Sequence, residues 1–398
     1  MKRLVFIISL ALTAVLPVGA QSYYQDFKNP EILRHSERHE PCRHEIVLPQ
    51  VNGYNVYKAD LHTHTAYSDG QVLPKYRVNE AWRDGLDIMA VTEHIEYRPH
   101  EETFLEYLEE YRSKKYDTAV NNRLTSGDEL TKDGIMVDLN YAVKESQKAA
   151  KGLDLLIIPG AEITRHGKKV GHFNALFTTD NNLIYNPDPV QAIRNAKAQG
   201  ALVQHNHPGW TRKDINMTPT EVILYGEGLI DGVEVMNGAG FYPGIIDRVQ
   251  ERGLFISANT DIHATTAADY IVTGSIRPMT LILAKEKTPE SVREALEQGR
   301  TIAYGFNTLC GQEQLLKDFF AAGVKVRLVR EGSKGLELFV TNTTSVPYTV
   351  RQEGHNQKRL DPFCTIKMTV KKDAKTLNLT VLNMFCSKDR HTVVELTF

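Results

Sequence analysis

From Tyr57 to about Tyr304, short apolar, β-branched runs alternate with helix-like segments. The runs lie at 87–92, 155–158, 172–177, 201–204, 232–236, 254–257 and 279–283. Continuous apolar runs of this length suit strands buried on both faces, the habit of a parallel sheet. Helices are predicted between them, for example over 189–199, closed by Gly200, and over 289–298, closed by Gly299. Strand and helix alternating over ~250 residues predict an α/β barrel or a doubly wound sheet. After Asn307 the period changes. The segments 324–329, 336–340, 348–350, 365–370, 377–381 and 392–397 alternate apolar with polar positions and are separated by turn residues. They predict a small C-terminal β-sandwich over 308–398, following an α/β domain over 57–307.

The chain ends and one long gap read differently. Lys2 and Arg3 precede an apolar stretch from Leu4 to Val18, and Val18-Gly19-Ala20 offers small residues for cleavage. Residues 1–20 therefore read as a signal peptide cut after Ala20, too short for a comfortable membrane span. The protein is expected to be exported, periplasmic or extracellular, with no membrane span after cleavage. Residues 21–56 are polar and irregular and read as an N-terminal arm. The longest gap between strands, 97–135, is rich in Glu, Tyr and Arg and reads as a charged connecting helix with a loop.

The 398 residues, 41% hydrophobic and 24% charged, exclude a largely disordered chain or a collagen. With 47 basic against 49 acidic residues, nothing marks nucleic acid or an anionic membrane as a partner. The four cysteines, Cys42, Cys310, Cys364 and Cys386, include no C-x-x-C pair, which argues against a structural zinc site. An oxidising compartment permits disulfides, and Cys364 with Cys386 is the pair the neighbouring strands favour; four free thiols are the alternative.

The chemistry sits in polar residues at the ends of the buried runs. His62-Thr63-His64 places two imidazoles on one side of a strand, since residues two apart share a face. Asp69 follows on a turn, His94 and Glu162 end further strands, His172 opens another, and His207 follows the run at 201–204. Asp261-Ile262-His263 repeats the spacing of two. Such a set would be costly to bury unpaired, whereas divalent cations take imidazole and carboxylate as natural ligands. This many donors suits two or three ions, zinc, manganese or iron, with a bridging carboxylate.

In order, D-x-H-x-H, S-D-G, T-E-H, G-x-E, G-H, H-P and D-x-H resemble the PHP (polymerase and histidinol phosphatase) domain of metal-dependent phosphoesterases, over about 57–305. The resemblance implies a distorted seven-stranded (β/α) barrel with a trinuclear site. One position would use His62, His64, Glu162 and Asp261. A second would use Asp69, His94 and His263, and a third Glu162 as a bridge with His172 and His207. Many members read T-D-H where this chain has Thr92-Glu93-His94, which leaves the ligand in place. Export with an added β domain is unlike the biosynthetic members and argues against histidinol phosphate as substrate.

The function expected is hydrolysis of a small organic phosphate mono- or diester by metal-activated hydroxide. His205 is a candidate general acid, an alternative ligand or a hydrogen-bonding support. Arg165, with His166, Lys168 and Lys169, is a candidate phosphate clamp, and Arg98 and Arg277 are weaker ones. Trp210 either packs against the leaving group or lies in the core. Glu234 and Asn237 are expected to orient ligands. Two other readings remain: an amidohydrolase or lactonase on the same metals, although no lysine stands where a carboxylated bridge would, or a non-enzymatic metal-containing binding protein.

Overall fold

The computed structural model describes residues 24–26, 29–34, 42–112, 137–165 and 169–398. The expected signal peptide, most of the 97–135 gap, His166 and Lys168 lie outside them. The chain falls into two units, Met1–Arg43 and His44–Phe398. In the first, β1 (Tyr24–Asp26) and β2 (Asn29–Arg34) pair antiparallel, so the arm read as irregular carries strands.

The second unit opens on β3 (Asn55–Asp60), two residues earlier than the alternation indicated. Each expected run then appears as a strand: β4 (Ile88–Val91), β5 (Leu156–Thr164), β6 (His172–Leu176), β7 (Leu202–Asn206), β8 (Gly232–Asn237), β10 (Phe255–Asn259) and β11 (Met279–Ala284), with the two-residue β9 (Gly240–Phe241) added between β8 and β10. Helices α1 (Pro74–Arg83), α2 (Glu101–Tyr107), α3 (Tyr141–Ala149), α4 (Pro189–Ala198), α5 (Pro219–Gly226), α6 (Gly244–Glu251) and α7 (Pro289–Glu297) lie between or after them. The predicted closing glycines hold, and side-chain N-caps open the same two helices. Asp188 accepts from the Val190 N–H and Thr288 from the Ser291 N–H, while Gly200 and Gly299 take positive φ just past the helix ends.

The strands follow one hydrogen-bonded path, β10-β8-β7-β6-β5-β4-β3-β11, which continues through β12 (Thr301–Gly305) and β13 (Thr308–Gly311). The sheet is mixed rather than parallel. β3-β4-β5 and β7-β8-β10 are parallel, but β6 runs against both neighbours and β11 against β3. The reason is local: only residues 165–171 join β5 to β6, too few for the crossover helix a parallel pair needs.

Strand pairing leaves the path open, yet its far strand β10 bonds across to β3 and β11. Leu61 N–H donates to Asn259 Oδ1 at 2.8 Å and Ala258 N–H to Thr280 Oγ1 at 3.1 Å. A single parallel bridge links Thr63 to Ile262. Ala59, Ile88, Ile158, Leu176, Leu202, Phe255 and Ile282 from these strands share one buried cluster with Val292, Ala295 and Leu296 of α7.

The boundary expected at 307–308 falls inside a hairpin. Phe306 and Asn307 both have positive φ, the requirement of a two-residue type I′ turn, and return the chain into the same sheet. Next comes α8 (Glu313–Gly323), a helix not foreseen although Leu316, Phe319, Phe320 and Gly323 bury at helical spacing. Seven strands follow: β14 (Val324–Gly332), β15 (Gly335–Asn342), β16 (Tyr348–Arg351), β17 (Lys358–Leu360), β18 (Thr365–Val370), β19 (Thr376–Ser387) and β20 (Arg390–Thr397). β14-β15-β18 form a separate sheet, while β19 pairs with β13 and carries β16, β17 and β20 into the long one.

The cysteines are free. Cys364 is exposed just before β18, whereas Cys386 is buried on β19, so the pair suggested by sequence proximity is split between the loop leading into one sheet and a strand of the other.

Candidate metal centre

All nine residues expected to ligate metal converge, in four overlapping groups. His64, Asp69, His94 and His263 form one; His62, His64 and Glu162 a second; Glu162, His172 and His207 a third; His62, His207 and Asp261 a fourth. His64 thus also joins the Asp69 group. Asp261 Oδ1 lies 3.2 Å from His62 Nε2 and 3.0 Å from His64 Nε2. Glu162 is central: Oε2 lies 2.6 Å from His94 Nδ1 and 3.5 Å from His64 Nε2, while Oε1 lies 3.2 Å from His172 Nδ1 and 3.8 Å from His207 Nε2. Asp69 Oδ1 faces His263 Nε2 at 3.1 Å and His94 Nε2 at 3.3 Å.

The local backbone explains this convergence. Thr63, between the two histidines, turns the other way and donates to the Ala90 carbonyl at 2.6 Å, which aims both imidazoles inward. Asp60, opening the motif, accepts from the His62 and Thr260 N–H groups and clips the two strand ends together. The turn carrying Asp69 closes where Gly70 N–H donates to the Thr65 carbonyl at 2.9 Å; a Cβ on Gly70 would lie 2.8 Å from that carbonyl. Glu93 accepts from Thr65 N–H and Ser68 Oγ–H and ties the same turn to the end of β4. His207 and Asp261 both have positive φ, 25° and 54°. Such backbone costs of order 1–3 kcal/mol at a non-glycine residue and here brings two ligands inward.

Supporting contacts lie behind the ligands. Glu234 Oε1 lies 3.0 Å from His62 Nδ1, and its other oxygen accepts from the His207 N–H at 2.8 Å and Asn237 Nδ2 at 2.9 Å. Asn206 Nδ2 donates to Glu162 Oε1 at 3.0 Å, Thr164 Oγ1 meets His94 Nδ1, and His263 Nδ1–H donates to the Asp261 carbonyl at 2.7 Å. Glu234 and Asn237 orient ligands as expected. Asn206 and Thr164 were missed, although their place in the strand pleat, beside expected ligands, is a signal that could have found them.

Charge within the centre is tightly interlocked. Burial alone would lower His62, but Asp261, Glu234 and Glu162 outweigh it and hold the ring well above its ordinary pKa. Burial is likewise outweighed at His94, by Glu162 and Asp69. His64 moves the other way, pushed down to about 3 by burial and by the neighbouring rings of His94 and His263. Glu162 is held well below the carboxylate range because His94 and His62 prevail over its burial.

Four buried atoms at the centre have no hydrogen-bond partner: His62 Nε2, His64 Nε2, Asp69 Oδ1 and Glu162 Oε2. Leaving such groups unpaired would cost several kcal/mol, and divalent cations coordinated by imidazole and carboxylate satisfy all four at once. The donor set fits metal.

The supposed catalytic residues beyond this set do not fit their roles. His205 faces away. Gln204 and Asn206 point into the site, so His205 between them points out; its ring stacks on Phe173, and its Nδ1 meets the Tyr225 hydroxyl at 2.9 Å. His207 reaches the centre because its backbone leaves the strand geometry. Arg165 is buried and committed to Glu96 and to the Asn186 carbonyl at 2.6 Å, so it fastens the end of β5 instead of clamping phosphate. Arg277 bridges Asp60 and Asp84, and Arg98 donates to Glu101. Lys169 is exposed. Trp210 is not core: it is 49% exposed, with its ring 5.1 Å from that of His172 and 5.4 Å from that of His207.

Comparison with known proteins agrees with the motif order. The PHP domain model matches residues 60–211. A crystal structure of a two-domain protein from Bacteroides vulgatus, described as containing a predicted PHP-like metal-dependent phosphoesterase, is 32% identical over 91% of this chain and all of its own, with a TM-score of 0.76. The chain belongs to the PHP domain family. The likeness runs along nearly the whole length of both chains. Two further structures are remote: one described as a metal-dependent phosphoesterase from Bifidobacterium adolescentis (16% identity, 61% of this chain and 96% of that one, TM-score 0.37) and an amidohydrolase from Chromobacterium violaceum (14%, 53% and 89%, 0.34). Neither carries an argument. No curated protein matches. Family and ligand clusters together support a metal-dependent hydrolase.

Proposed function

We propose that the protein is an exported phosphoesterase that cleaves a small organic phosphate mono- or diester, using two or three divalent ions of zinc, manganese or iron. One observation carries the reading: buried, unpartnered ligand atoms from several strand ends meet at one place, in a chain of the PHP family. The ions would be held by His62, His64, Asp69, His94, Glu162, His172, His207, Asp261 and His263, with Glu162 between neighbouring positions. Bound there, they would supply Lewis acidity, which acidifies water and offsets charge on phosphoryl oxygens.

The protein's own part is preorganisation. Glu234, a carboxylate that only accepts, keeps a proton on His62 Nδ1 and turns Nε2 to the centre. Asn206 fixes the plane of the Glu162 carboxylate, and the His263 bond to the Asp261 carbonyl leaves its Nε2 for the Asp69 side. Export rests on the sequence of residues 1–20. Among the described residues no helix is long and apolar enough to cross a membrane.

The test is elemental analysis of protein purified without a chelating tag, with assays on a generic phosphomonoester and phosphodiester. Two to three equivalents of metal with turnover of either ester supports the reading. Metal without ester turnover moves the activity to another bond, amide or lactone first, and absence of metal after reconstitution removes the enzyme reading. Fractionation of producing cells with N-terminal sequencing tests export and cleavage after Ala20.

A further inference from the structure

We propose that Trp210, on the rim of the metal centre, forms an aromatic subsite that takes a planar aryl group carried on the substrate's leaving alcohol, with Tyr97 a second exposed ring on that rim; this rests on the phosphoesterase reading above. Both side chains stand in solvent, Trp210 49% and Tyr97 39% exposed. Both also touch the centre. The Trp210 ring lies 5.1 Å from His172 and 5.4 Å from His207, and the Tyr97 ring 6.0 Å from His94. Trp210 meets the two imidazoles at 53° and 64°, so neither stacks flat on it and its face is not consumed by them.

The exposure is built in. Trp210 N–H donates to the His207 carbonyl at 2.8 Å, and Arg212 N–H to the Gly209 carbonyl at 3.2 Å. Gly209 lies so close to Tyr242 that a Cβ would come within 2.5 Å of its ring, and Arg212 is gripped by Glu221. Tyr97 stands between buried Glu96, which accepts the Thr164 N–H at 2.8 Å, and buried Arg98. Two large rings thus stand at the edge of a polar site with apolar surface open to a ligand.

Three arginines close in sequence to these rings and to the centre are not free to hold a second anion. Arg165, Arg98 and Arg212 are each committed to a carboxylate. Among the described residues, the edge of the centre near Trp210 and Tyr97 thus presents π faces where a polyphosphate would need guanidinium groups. An exposed indole in such a setting favours a ring over a methyl group by roughly tenfold in affinity.

The test uses the metal-loaded protein and two non-hydrolysable probes, phenylphosphonate and methylphosphonate, followed by calorimetry and by tryptophan emission. Trp82 is the one other tryptophan and serves as a constant background. Phenylphosphonate is expected to bind roughly tenfold tighter and to quench emission. Trp210→Ala should bring the two probes to parity without abolishing methylphosphonate binding, and Trp210→Phe should restore the preference. Equal affinities in the native protein, or a preference that survives in Trp210→Ala, overturn the proposal. If neither phosphonate binds but benzoate does, with Trp210-dependent quenching, the subsite stands and the phosphoester reading fails. If no aryl probe binds, the subsite fails.

Discussion

His62 Nδ1 lies 3.0 Å from Glu234 Oε1, and the same carboxylate accepts the His207 N–H through its other oxygen. One buried residue outside the candidate ligand groups thus sets the aim of two within them. Glu234→Gln keeps the shape but offers His62 an amide in place of a full charge. Metal affinity is expected to fall ~10–100-fold with the fold retained, as competition with a chelator would measure. Unchanged affinity would mean that His62 is aimed by packing alone.

Metal binding should release protons. His62, His94 and His263 have pKa values raised by facing carboxylates, once the opposing effect of burial is overcome, so they hold protons that incoming cations must displace. Apparent affinity should therefore rise with pH. Calorimetry in buffers of differing ionisation enthalpy at pH 7 should show net proton release, and a heat independent of buffer would contradict the charge pattern.

Glu221 offers a cleaner titration. Burial opposes its ionisation, but His205, Arg212 and the Thr218 N–H hold its pKa at about 2, against an ordinary value of 4.5. A depressed folded pKa contributes stability that is fully present above the unfolded value and is lost as pH falls through the folded one. The window is therefore pH 4.5 down to 2. Glu221→Gln should cost ~2–3 kcal/mol at pH 7. In urea titrations its deficit relative to the native chain should shrink as pH is lowered through that window; a constant deficit would show that the charge contributes nothing.

His205→Gln tests the reassignment of that residue. Its ring lies on the outer face of β7 against Phe173 and Tyr225, so turnover should stay within a few-fold of native while stability falls by ~1–3 kcal/mol for the disturbed buried hydrogen bonds. A general acid would contribute roughly 10²–10⁴-fold. A loss of that size with metal content intact would restore the catalytic role.

Cutting the chain after Asn307 should not yield an independent hydrolase domain. It removes β13 from the buried edge of β12, and with it the Gly311 and Cys386 carbonyls that accept from Gln250 Nε2 on α6. The truncated chain is expected to melt roughly 10 °C or more below the full protein. A fragment that melts as high and still loads metal would show that the shared sheet contributes little.

Much of this was legible in the order of residues. Apolar runs of strand length located the sheet because burial on two faces favours apolar residues along most of a strand. His62 and His64 were readable as a pair because a strand repeats every two residues. The same rule would mislead at His205 and His207: the spacing is identical, but His207 lies past the end of β7 with positive φ, and no local pattern announces where a backbone leaves the strand. The direction of β6 was likewise hidden in the shortness of a connection. The helix over Glu313–Gly323 was there to be read from Leu316, Phe319 and Phe320, and was overlooked amid strand-like neighbours.

By itself, then, the sequence determined which residue types stand at strand ends and hence that metal chemistry belongs here, because ligand identity and local periodicity are properties of short segments. Only the tertiary structure decided which basic residues are free to act. Arg165, Arg98 and Arg277 are separated by many residues from several of the carboxylates that claim them, and a charge is committed or available according to what the fold places within a few ångströms of it.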